Sequence, residues 1–107
     1  SCEALTTLSL PALRSSEALI VAYNYGLVAL EVPLLESVHR ELHIHNNSKL
    51  LQVAFPKLTS CEGELRIAFN EVLVDASFPL LEVVGGPFDV GNNPRLERLR
   101  FPQLTTV

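Results

Sequence analysis

Proline recurs in this chain at Pro11, Pro33, Pro56, Pro79 and Pro102, at an interval that is constant except for the first, which is shorter by one. A fixed period in this range marks one short supersecondary unit copied along the chain. Cut one residue before each proline, the units read "LPALRSSEALIVAYNYGLVALE", "VPLLESVHRELHIHNNSKLLQVA", "FPKLTSCEGELRIAFNEVLVDAS" and "FPLLEVVGGPFDVGNNPRLERLR". A further unit begins as "FPQLTTV", and "SCEALTTLS" matches the tail of a unit ahead of the first. A unit this short cannot bury an apolar face by itself, so it must stack on its neighbours.

The aligned columns say what stacks. One apolar column is Leu10, Val32, Phe55, Phe78 and Phe101, and a second is Leu13, Leu35, Leu58, Leu81 and Leu104. A third is Val38, Cys61, Val84 and Val107. A period-two pair follows in each unit: Leu19/Val21, Leu42/Ile44, Leu65/Ile67 and Phe88/Val90. Alternation of this kind reads as a short strand with one buried face. Three positions on stand Asn24, Asn47, Asn70 and Asn93, and then Leu27, Leu50, Leu73 and Leu96. An inward asparagine column can bond backbone groups at the turn after the strand. Proline lacks the N–H of a ladder and holds its predecessor extended, so the Phe-Pro phrase marks a corner that every coil turns.

The expected fold is mainly β: a parallel β-solenoid of about four and a half coils, forming one repeat domain over residues 1–107. No window sustains a helical period. The shortest strands are expected after the Leu-x-Ile motif. The first full unit is one residue short between Leu13 and Leu19, which predicts a tightened turn there. Both ends stop within a coil, with Leu5 and Leu8 at one and Phe101, Leu104 and Val107 at the other. Open solenoid ends need covering, so the expectation is a piece of a longer solenoid or end-to-end self-stacking.

At "FPLLEVVGGPFDVGNNPRLERLRFPQLTTV" the chain resembles receptor L-domain repeats, which are β-helical relatives of leucine-rich repeats. The phrases that carry the resemblance are Phe-Pro-x-Leu, Val-x-Gly and Leu-x-Ile-x-x-Asn-x-x-Leu, over nearly the whole chain. Such repeats occur in ectodomains of insulin- and growth-factor-type receptors, in fungal GPI-anchored cell-wall proteins and in other surface proteins. The resemblance therefore implies an extracellular, cell-surface or cell-wall protein. The leucine-rich template ends Asn-x-Leu, whereas this chain has Asn-x-x-Leu, which favours the L-domain type over the horseshoe. The receptor versions carry flanking disulfides that this chain lacks, which points to a generic surface protein.

Charge and composition narrow the partners. The net charge is −4 with basic residues scattered singly, whereas a nucleic-acid partner needs a clustered positive surface. No apolar run approaches the ~18 residues of a membrane span. No cofactor motif is present: "VVGGPF" lacks the Lys and the following helix of a phosphate loop. Cys2 falls in the asparagine column and Cys61 in the inward valine column, more than two coils apart. At ~4.8 Å per coil that is beyond disulfide reach, and both read as buried free thiols.

His43 and His45 alternate on one strand and point outward, while the next coil offers Arg66, which repels a cation. With His39 apart from them, no metal site is expected. Glu41 and Glu64 share one column, and Glu36 and Glu82 another, without a His, Lys or Arg converging on either pair in a recognisable cleft. No serine has a nucleophile-elbow context, so the chain does not read as an enzyme. Asn46 opens an Asn-x-Ser sequon on the outward side.

The outward face of the main strand is the candidate ligand face. Its columns are Ile20, His43, Arg66 and Asp89; Ala22, His45, Ala68 and Gly91; and Tyr23, Asn46, Phe69 and Asn92. Tyr23 and Phe69 stand two coils apart, flanking Asn46, a spacing suited to sugar rings or to a protein partner. The leading expectation is a non-enzymatic interaction module for a protein or glycan. The alternatives are a structural spacer and, more remotely, a polysaccharide-acting β-helix enzyme.

Overall fold

The computed structural model describes residues 7–10 and 12–105. Cys2, Leu5, Pro11 and Val107, singled out above, lie outside the described residues. Leu8 is described in its backbone only.

Each coil contributes three strands. The first carries β1 (Thr7–Ser9), β2 (Ser15–Ser16) and β3 (Leu19–Ala22). The second carries β4 (Ala29–Glu31), β5 (Ser37–Val38) and β6 (Leu42–His45). The third carries β7 (Gln52–Ala54), β8 (Ser60–Cys61) and β9 (Leu65–Ala68). The fourth carries β10 (Asp75–Ser77), β11 (Val83–Val84) and β12 (Phe88–Asp89), and β13 (Arg98–Arg100) opens the next. Every pairing is parallel and joins a strand to its equivalent one coil away, which makes three sheets: β1-β4-β7-β10-β13, β2-β5-β8-β11 and β3-β6-β9-β12. The chain is a parallel β-solenoid of about four turns, with no helix among the described residues.

Two local expectations have different outcomes. The shortest strands as a set, β2, β5, β8 and β11, are dipeptides that precede the Leu-x-Ile strand, whereas β4, β7 and β10 after it are longer by one. The order is the reverse of that expected, because only one dipeptide is extended between the Phe-Pro corner and the corner that follows. The shortened turn is found where the register requires it. Ser16 pairs with Val38 and Leu19 with Leu42, so the offset between partners grows by one from the first pair to the second. The missing residue therefore falls between Ser16 and Leu19. There the Ser16 hydroxyl donates to the Ala18 carbonyl at 2.8 Å.

The recurring phrases are β-turns. In Phe-Pro-x-Leu, the N–H of Leu58 donates to the Phe55 carbonyl at 3.4 Å, Leu81 to Phe78 at 3.3 Å and Leu104 to Phe101 at 3.1 Å. Proline at the second position pre-sets the φ that such a turn needs. In Asn-x-x-Leu, Leu50 donates to Asn47 at 3.2 Å, Leu73 to Asn70 at 3.2 Å and Leu96 to Asn93 at 3.0 Å. Each turn brings its leucine back toward the core.

The third corner lies ahead of the Leu-x-Ile strand and depends on glycine. A Cβ on Gly63 would stand 1.9 Å from the Arg40 carbonyl oxygen of the coil before, and one on Gly85 would stand 2.4 Å from that of Glu62. Backbone meets backbone here, so a methyl group has no flexible neighbour to displace. Gly63→Ala is expected to lower stability by about 1–3 kcal/mol, the usual range for overpacking. At Gly91 the nearest atom to an added Cβ is the Asp89 carboxylate tip at 3.2 Å, and Gly91→Ala should unfold at nearly the wild-type temperature. Equal thermal shifts for the two variants would refute this account of the corner.

The core is the set of inward columns. Leu27, Leu35, Leu42, Leu50, Leu58, Leu65, Leu73 and Leu81 are fully buried. Phe55 and Phe78 stack at 5.1 Å between centroids, and Phe78 and Phe101 at 5.0 Å. Phe88 meets Phe101 edge-on at 5.2 Å. Parallel in-register strands put like on like, and here that yields a column of stacked rings.

Candidate functional site

The asparagine column forms a polarised ladder. Asn47 and Asn70 are fully buried, Asn93 is nearly so, and Asn24 is half-buried. The backbone N–H and side-chain Nδ2 of Asn24 both donate to Asn47 Oδ1 at 3.1 Å. Asn47 donates in the same two ways to Asn70 Oδ1 at 3.1 and 3.2 Å, and Asn70 to Asn93 Oδ1 at 3.2 and 3.1 Å. Nδ2 of Asn47, Asn70 and Asn93 also donates to the carbonyls of Val21, Ile44 and Ile67, one coil back, at 3.0, 3.1 and 2.7 Å. The partners are therefore chiefly on neighbouring coils rather than in the turn that follows each asparagine. Asn93 adds its own coil's Val90 and Gly91 carbonyls.

This ladder imposes an unusual backbone on the residue before it. Leu42 and Ile44 point inward, so strict alternation would send residue 46 inward and Asn47 outward. Asn47 is nevertheless buried, because the chain leaves the strand through a left-handed residue. The same holds in every coil: φ is 58° at Tyr23, 58° at Asn46, 57° at Phe69 and 60° at Asn92. The column reading places these four on the flat outward face of the strand. They instead stand beyond the ends of β3, β6, β9 and β12, at the corner. Asparagine adopts this conformation readily, whereas a residue such as Tyr or Phe pays ~1–2 kcal/mol for it.

The corner column forms one wall of a groove of about 700 Å³ that runs across the coils. The opposite wall is the next outward column, Tyr25, Ser48, Glu71 and Pro94, with Val90 and Asn93 at one end. These residues occupy the position after the ladder asparagine, where the Asn-x-x-Leu turn projects its side chains outward. Tyr23, Tyr25 and Phe69 are 53, 54 and 45% exposed. Among the described residues, Glu71 is the one charged group that lines the groove. The sequence held a signal for this wall: the inward Asn47 stands at an odd offset, three positions, from the inward Ile44.

On the flat strand face the polar groups engage one another. His43 pairs in register with Arg66, but its Nε2 lies 2.9 Å from Glu64 Oε1. His43 thus meets one member of the Glu41/Glu64 column, on the open strand face. A diagonal step joins His43 to Glu64, and column reading sees only the vertical neighbour. His39 Nδ1 lies 3.8 Å from Glu62 Oε2, and Arg66 Nε lies 3.8 Å from Asp89 Oδ2. His45 stands 6.3 Å from His43 between ring centroids. It meets Tyr23 edge-on at 5.4 Å, and its Nδ1 lies 2.7 Å from Asn46 Oδ1. His45 thus connects the strand face to the groove wall.

Two further groups have defined settings. The sequon residue Asn46 is half-buried on the groove wall, and Ser48 faces it across the groove. Cys61 is fully buried, its Sγ 3.7–3.9 Å from the carbonyls of Glu64, Gly63 and Arg40. Burial pushes its thiol above the usual range, so it stays protonated at neutral pH.

Among the described residues no cluster of three or more His, Cys, Asp or Glu could hold a metal ion, and no helix is long and apolar enough to cross a membrane. Comparison with protein-family models, with curated proteins and with solved structures found no match to this chain.

Proposed function

We propose that this chain is a non-enzymatic interaction module of an extracellular, cell-surface or cell-wall protein, and that it binds a protein or glycan through the outer side of its parallel β3-β6-β9-β12 sheet. The observation that carries the reading is the cluster of half-exposed aromatics beside that sheet, Tyr23, Tyr25 and Phe69, along one groove. Exposed rings on the two walls of one groove, on a scaffold held by stacked strands and a buried amide ladder, are pre-organised for contact. The L-domain-like phrases Phe-Pro-x-Leu and Leu-x-Ile-x-x-Asn-x-x-Leu support the same setting, since repeats of that kind belong to surface proteins.

A structural spacer is the second reading. Its support is the strand face itself, where His43 lies 2.9 Å from Glu64 and the Arg66 and Asp89 charges face each other at 3.8 Å, although Arg66 Nε is buried without a hydrogen-bond partner. The two readings separate on binding. The labelled chain is titrated over an array of glycans and over a panel of immobilised secreted proteins. Saturable binding to at least one of them is expected, together with loss of that signal in a Tyr23→Ala/Phe69→Ala double variant. A flat response across both panels would leave the spacer reading standing.

A further inference from the structure

We propose that the corner groove binds a neutral linear oligosaccharide laid along the solenoid axis, with Tyr23 and Phe69 as its stacking platforms. The proposal rests on the interaction-module reading and narrows it to one site and one ligand class.

The first argument is the misfit of the two rings with their own positions. Four equivalent residues adopt the left-handed backbone, and two of them are asparagines, Asn46 and Asn92. Asparagine suits both that conformation and an exposed corner. Tyr23 and Phe69 suit neither, because each combines a strained backbone with a half-exposed ring. Tyr23 forms a T-shaped pair with His45 at 5.4 Å and stays 53% exposed on the groove wall. Strained, exposed aromatics that add little to the core are where a binding role is to be sought.

The second argument is the order of residues along the wall: aromatic, amide, aromatic, amide. Successive rows are ~4.8 Å apart, so the two rings are separated by roughly 10 Å. A pyranose ring offers an apolar face to an aromatic platform and a rim of hydroxyls to polar groups. Two such rings fit on Tyr23 and Phe69 as the ends of a short saccharide. Asn46 on the row between them, with Ser48 opposite, can donate to and accept from the intervening hydroxyls.

The third argument is charge. Among the described residues no Lys or Arg lines the groove, and Glu71 does. A carboxylate accepts hydrogen bonds from sugar hydroxyls and repels sulfated or uronic-acid polymers. A proline-rich peptide also favours aromatic grooves, but it docks into apolar slots between rings. Here the row between the rings carries an amide and a hydroxyl.

The test uses the chain made in a bacterial host, which leaves Asn46 without a glycan. Neutral β-linked glucose, N-acetylglucosamine, xylose and mannose oligosaccharides, from disaccharide to hexasaccharide, are titrated by calorimetry. At least one series is expected to bind, with affinity rising to the tetrasaccharide, which spans the four rows from Tyr23 to Asn92, and then levelling. The Tyr23→Asn/Phe69→Asn double variant should bind ~10-fold or more weakly, with a melting temperature equal to or above that of the wild type. Leu80→Ser, at the distant Phe-Pro corner, should bind as the wild type does. If the double variant binds undiminished, the site lies elsewhere and only the interaction-module reading survives. If the double variant loses binding to a charged glycan or a proline-rich peptide while neutral saccharides fail, the ligand class is overturned. If nothing binds on any panel, both fall.

Discussion

Replacing Phe78 by alanine is expected to destabilise this solenoid by about 3–5 kcal/mol, the range for large-to-small changes at buried aromatics. Phe78 is fully buried and lies in the middle of a stack, 5.1 Å from Phe55 and 5.0 Å from Phe101, with interplanar angles of 7° and 14°. Its removal opens a cavity between two rings that cannot close on each other, because the coil spacing is fixed by the strand ladders on either side. The backbone bonds Phe78 N–H to Arg100 carbonyl and Leu81 N–H to Phe78 carbonyl survive the change, so the loss isolates side-chain packing. Phe101→Ala should be milder, since Phe101 is only partly buried. Urea denaturation of the three proteins checks the order. A midpoint for Phe78→Ala within error of the wild type would mean that the stack does not hold the coils together.

Asn70→Ala is expected to cost about 1–3 kcal/mol, the desolvation penalty of stranded buried partners. The truncation leaves Asn47 N–H without its side-chain acceptor, Asn47 Nδ2 with the Val21 carbonyl alone, and Ile44 carbonyl without its side-chain donor. It also breaks the ladder at its centre, where no water can enter without disrupting the core. Asn46→Ala, one coil back and one position earlier in register, loses a single contact with His45 but places alanine in the left-handed conformation. Its effect should be ~1 kcal/mol, the lower end of the cost of a left-handed backbone for a residue that lacks asparagine's local hydrogen bonding. Asn46→Gly should be neutral or stabilising. Thermal unfolding of the three variants distinguishes the two asparagines, and a melting temperature for Asn70→Ala equal to that of Asn46→Gly would show that the ladder bonds contribute nothing net.

The sequence alone determined the stacking unit, its constant pitch and which columns face inward. These follow from local chemistry repeated at a fixed interval. A proline can sit only at a corner, an alternating Leu-x-Ile only on a half-buried strand, and identical residues recurring once per coil only in parallel register. Even the missing residue near Ser16 could be read, because a one-residue deficit must be absorbed in a turn if the flanking columns are to stay in line.

The tertiary structure alone decided three things. It set Tyr23, Asn46, Phe69 and Asn92 at a left-handed corner, where they wall a groove instead of continuing the flat face. It joined His43 to Glu64 across a diagonal. It pressed the Gly63 and Gly85 corners against the backbone of the coil before. All three depend on how one coil is offset and rotated against the next. A column alignment records which residues share a row but carries neither the sign of φ nor the slant between rows. The groove exists because a buried asparagine at an odd spacing from the strand can be reached only through a left-handed residue. The odd spacing is legible in each unit, but the burial that turns it into a left-handed residue comes from the ladder bonds between coils, which no single unit contains.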